Sequence, residues 1–152
     1  MATLSPAFRA DSERIHGEHQ AILEELVELD RGLDHLTCHE QVLADPVTAE
    51  QVRRLTQRLA AELPDHCRRE EEKVLDAVCE VSTELCDFCR KMREEHQILL
   101  AQLEFFRQAL DDLGSAGNRH EALEHLKGEG AKLTRALRQH ILLEETELSG
   151  FL

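Results

Sequence analysis

Six side chains able to bind metal fall at positions where an apolar residue is expected. His19 lies between Ile15 and Ile22, His66 follows Leu63, His96 lies between Met92 and Leu99, and His140 follows Leu137. Glu70 and Glu144 each come four residues after a histidine, just before Val74 and Leu148. Residues at i and i+4 project from one helix face, so each His-x3-Glu pair can act together, the imidazole on one ion and the carboxylate across two. Burying four imidazoles and two carboxylates without partners costs several kcal/mol, on the order of the whole stability of a small domain. A pair of divalent cations removes that cost. Neutral imidazoles with carboxylates suit iron, zinc or manganese, whereas zinc alone more often takes a tetrahedral structural site containing cysteine. Two bridging carboxylates favour a dinuclear centre. Any one of these histidines alone reads better as a hydrogen-bonded core or boundary residue. The repeated spacing is what points to metal.

The elements that must position these groups are helices. Apolar residues recur every three to four positions through four segments, about 11–36, 48–79, 83–113 and 119–148. Thr48 and Gln51 give a capping-box signal for the second, Pro64 is expected to kink it, and Gly128 and Gly130 weaken the fourth. Pro46 and the Gly114 to Asn118 run mark loops, and the short gap between the second and third helices demands an antiparallel hairpin. The halves also repeat. Glu18 to Leu23 (EHQAIL) matches Glu95 to Leu100 (EHQILL), and His66 to Glu71 (HCRREE) matches His140 to Glu145 (HILLEE), with offsets of 77 and 74 residues. The expected fold is all-α, an up-down-up-down antiparallel four-helix bundle with an internal helix-pair duplication, as a single domain over 1–152.

Composition agrees with helices. The 152 residues include no Trp or Tyr and only five Phe, and 41% are hydrophobic against 32% charged. A formal net charge of −13 repels nucleic acid and anionic membranes, so neither is an expected partner. Five cysteines do not make the even framework of a secreted scaffold, and neither a signal peptide nor a membrane span can be read. A cytoplasmic location is expected, with the oligomeric state open and a homodimer the form to test.

Other polar groups read more plainly. His16, His35 and His39 suit surface or capping roles, although each lies where it could reach toward the centre. His120 and His125 read as surface residues, and Glu71 and Glu72 as a solvated helix face. Cys86-x2-Cys89 opens the third helix, where with Cys79 it could form a redox switch or bind zinc. Cys89 also falls on the apolar seam, and a small buried hydrophobe is the favoured reading. Glu13 and His16 give one Glu-x-x-His of the ferritin-like kind, without a second copy on a matching seam.

Glu18-His19, His66-x3-Glu70, Glu95-His96 and His140-x3-Glu144 resemble the duplicated motif of the hemerythrin-like (HHE cation-binding) family over nearly the whole chain. The resemblance implies two non-haem iron ions, bound by His19, His66, His96 and His140 and bridged by Glu70 and Glu144. The oxygen carriers of that family have a fifth inward histidine one turn after the third-helix ligand, where this chain has Leu100. Their last carboxylate is an aspartate five residues after the fourth-helix histidine, where this chain offers Glu144 at four and Glu145 at five. The likeness is therefore to the broader group, which includes iron-sensing and iron–sulfur-repair members. It implies a centre with an open position that binds or senses oxygen, nitric oxide, peroxide or iron, or else serves a redox enzyme or cluster-repair factor. Whether it turns over is left open, with binding or sensing preferred to catalysis.

Overall fold

Four helical rods make up most of the computed structural model, which describes residues 4–38, 46–115 and 117–152. Helix α1 spans Pro6–Cys38 and starts five residues ahead of the expected Asp11. Proline at the first helical position is pre-set for the turn, and the Ser5 hydroxyl accepts the Phe8 N–H at 3.1 Å. The added turn is held in place because Phe8 is buried and meets Phe151 edge-on, ring centroids 6.4 Å apart.

The second rod runs without interruption through α2 (Pro46–Glu70), a π turn (Glu71–Leu75) and α3 (Asp76–Val81). It opens at Pro46, so Thr48, expected as the cap, already lies inside the helix and is buried. The helix continues through Pro64. A wider π turn follows directly after Glu70. There Glu71 O accepts the Asp76 N–H and lies 3.4 Å from Arg93 Nη2. A 3₁₀ turn (Thr83–Leu85) leads into α4 (Cys86–Ser115), and Asn118 caps α5 (Arg119–Glu147) by accepting the Glu121 N–H at 3.2 Å. A disulfide, Cys79–Cys86, closes the hairpin between the second and third rods.

The rods form an antiparallel up-down-up-down bundle in which α1 packs on α2 and α5, and α4 packs on the same two. Among the described residues there is no strand. Two apolar clusters fill the interior. The larger is built around Leu26, Leu59, Phe106 and Leu133, the smaller around Phe8, Val74, Met92 and Leu148. Gly130 makes room for side chains of two other rods: a Cβ there would meet Leu33 Cδ1 at 2.6 Å and Phe106 Cε2 at 3.2 Å. At the lower pole the Ser12 hydroxyl donates to the Phe151 carbonyl, tying the last turn onto α1.

Candidate metal centre

The apolar clusters are separated by a polar layer that takes one stretch from each rod. Ile15, Val74, Met92 and Leu148 lie below it, and Ile22, Leu63, Leu99 and Leu137 above it. Within the layer His19, His66, His96 and His140 are at most 5% exposed, and Glu70 and Glu144 at most 1%. All six sequence candidates are thus brought to one place. The Nε2 atoms face the carboxylates. His19 Nε2 is 3.2 Å from both Glu70 Oε2 and Glu144 Oε2, and His66 Nε2 is 3.1 Å from Glu70 Oε2. His140 Nε2 lies 2.8 Å from Glu144 Oε1, and His96 Nε2 is 3.6 and 3.7 Å from Glu144 and Glu70. Two half-sites result, His19–His66–Glu70 and His96–His140–Glu70–Glu144, with ligand atoms within 4.8 Å of one another. Glu70 belongs to both, and Glu144 reaches His19, so both carboxylates can bridge.

An outer ring of carboxylates fixes each imidazole. His19 Nδ1 pairs with Glu145 at 2.7 Å, His66 Nδ1 with Glu18 at 2.7 Å, His96 Nδ1 with Glu71 at 2.8 Å and His140 Nδ1 with Glu95 at 2.8 Å. Each carboxylate comes from a different rod than its histidine. An Nδ1–H donated outward leaves the Nε2 lone pair directed inward, and this carboxylate–histidine arrangement selects the tautomer a metal ligand needs. The inner atoms then have too few donors among them. Glu70 Oε1, both Glu144 carboxylate oxygens, His96 Nε2 and His140 Nε2 are buried without a hydrogen-bond partner, although some approach one another closely. Bare lone pairs converging in an apolar interior are costly without a cation. The residues present therefore fit a cation-binding site.

Without metal, protons take the cation's part. Burial alone favours neutral imidazole, yet the carboxylates of Glu144 and Glu70 outweigh it and push His19 up from its ordinary 6.5 to about 10. His96 rises to about 9 on the same balance, and His140 rises as well. Burial works against the charged form of Glu144, but the adjacent His140, His19 and His96 rings, once protonated, hold its carboxyl well below the usual range.

Four residues of the outer ring carry roles that the sequence reading did not give them. Glu71, expected on a solvated face, holds His96; Glu72 does remain exposed. Glu145 holds His19 and also meets the half-exposed His16 at 3.0 Å, so His16 braces the ring. Glu18 and Glu95 hold the histidine of the neighbouring rod rather than their own. A signal was available, because Glu18/Glu95 and Glu71/Glu145 repeat at the ligand offsets. His35 borders a cavity between α1 and α2 lined by Gly32 and Thr48. His39 lies outside the described residues, and His120 and His125 are exposed. Cys89 and Cys67 are free and buried, so Cys89 is the small apolar residue expected, while Cys86 is bonded to Cys79. Leu100 packs partly buried against the larger cluster.

A helical bundle whose four rods each supply an inward imidazole, with carboxylates bridging between them, is built to hold cations in its core. The chain belongs to the hemerythrin family: the model of the hemerythrin HHE cation binding domain matches residues 10–152. No curated protein and no solved structure matches it. Among the described residues no helix is long and apolar enough to cross a membrane.

Proposed function

We propose that the chain is a di-iron protein that binds or senses a small ligand, dioxygen, nitric oxide, peroxide or iron itself, at this centre. The carrying observation is the set of five buried, unpartnered nitrogen and oxygen atoms that converge where two half-sites share Glu70. His19 and His66 would hold one ion, His96 and His140 the other, with Glu70 and Glu144 across both. Bound iron would supply a redox-active, ligand-binding centre. The protein's own part is to aim four lone pairs inward, hold them with Glu18, Glu71, Glu95 and Glu145, and keep bulk water out with the apolar clusters above and below. Six protein ligands for two ions leave coordination positions open, and Leu100 supplies no seventh, which favours exchangeable ligands over tight carriage. The working location is the cytoplasm, with no nucleic-acid or membrane partner.

The test is metal analysis of protein grown in iron-replete medium, with optical spectra before and after nitric oxide, dioxygen or peroxide. Two iron ions per chain and a ligand-dependent spectral change are expected. Fewer than about one metal ion per chain would return the layer to a purely structural role. Sustained turnover of peroxide or nitric oxide with an added reductant would move the reading to a redox enzyme.

A further inference from the structure

The two halves of the centre repeat one another in their ligands but not in what covers them. On the α1–α2 side, the His66–Glu18 pair is covered by arginines: Arg69 lies 2.8 Å and Arg14 3.1 Å from Glu18 Oε1. The repeat places Leu143 where Arg69 stands and Lys91 where Arg14 stands. Leu143 cannot bond Glu95, and the Lys91 Nζ is 3.9 Å from Glu95, against 3.1 Å for Arg14 and Glu18. A cavity of about 330 Å³ opens there between α4 and α5. Ile98, Leu99, Ala136 and Leu143 make its apolar wall, the exposed Gln139 stands at its edge, and the buried His140 with its partner Glu95 borders it. The repeat equivalents of Ile98, Ala136 and Leu143 are Ala21, Glu62 and Arg69. The α4–α5 copy has therefore exchanged a small, an acidic and a basic residue for apolar ones around one metal-site histidine.

We propose that this recess binds a small uncharged, apolar molecule of the dioxygen or nitric oxide class, and is the side from which that molecule approaches the centre. This rests on the di-iron reading and narrows its ligand. Apolar walls reward removal of an apolar solute from water, whereas an anion would meet Glu95 and a chain of net charge −13. Peroxide, which must keep its hydrogen bonds, gains little from such walls.

Xenon, an apolar probe of similar size, tests the site without any reaction. Crystals of the purified protein under xenon pressure are expected to show an anomalous peak between Ile98, Leu99, Ala136 and Leu143. Leu143→Arg, which restores the residue of the other half, is expected to abolish it. No peak in the unaltered protein overturns the site. The approach is tested by stopped-flow mixing of nitric oxide with reduced, iron-loaded protein. Leu143→Arg and Ala136→Phe are expected to slow association several-fold while Ala21→Phe, on the opposite helix pair, does not. Circular dichroism checks that each variant is folded, and equal rates in both folded recess variants overturn the route. If nitric oxide fails to bind even the unaltered iron-loaded protein, the di-iron ligand reading falls, and the xenon result still decides the recess.

Discussion

Each inner imidazole is fixed by an outer carboxylate, and that pairing sets what single changes should do. Glu18→Gln or Glu95→Gln keeps the side-chain shape but weakens the grip on His66 or His140. Metal affinity measured by chelator competition should fall by about 10–100-fold with helicity unchanged. Glu25 offers a control away from the centre. Burial and the neighbouring Glu62 carboxyl raise it to about 7. Its protonated form is the one the fold prefers, so its contribution is lost as pH rises from the ordinary carboxylate range through about 7. Glu25→Gln should therefore raise the melting temperature at pH 8 and leave it nearly unchanged at pH 5. The six inner residues were legible because a polar group on an apolar seam contradicts its local pattern. Glu71 was not, because a glutamate on a half-exposed face contradicts nothing. Its role depends on how the second rod is rotated against α4, which no spacing within one helix records.

Periodicity located every rod, and all but one of the helix ends fall within three residues of those expected. The missed turn at Pro6 is fixed by a contact 143 residues away, Phe8 on Phe151, so no local signal could give it. The π turn was equally hidden, since Glu71–Leu75 is ordinary helix-forming sequence. It widens the rod just after Glu70, leaving Glu70 turned inward and Glu71 against α4, with Val74 and Leu75 both buried. The glycines of α5 separate by environment. Gly130 sits against Leu33 and Phe106, while nothing lies within 4 Å of a Cβ at Gly128. Gly130→Ala should destabilise by about 1–3 kcal/mol through overpacking. Gly128→Ala should stabilise by up to about 1 kcal/mol, the helix-propensity difference. Urea denaturation of the two variants checks both signs.

For the whole molecule the charge balance of the polar layer governs stability without metal. The raised pKa values of His19 and His96 mean that the folded form binds protons the unfolded chain releases. That stabilisation is complete below 6.5 and fades as pH climbs toward about 10. Metal-free protein should lose melting temperature over that alkaline range, and metal-loaded protein should lose much less. Metal uptake at neutral pH should release protons, measurable with a pH indicator. The outer bonds also have a topology of their own. His19 of α1 reaches α5, His140 of α5 reaches α4, His96 of α4 reaches the second rod, and His66 of that rod returns to α1. The four bonds close into a hoop around the bundle, with every rod giving one link and receiving one. A hoop cut once is still a connected chain, so any single Glu→Gln variant should keep its rods in register. Cutting the Glu18 and Glu95 links together leaves two unlinked arcs, α1 with α5 and the second rod with α4. That double variant should lose more than its two single changes combined.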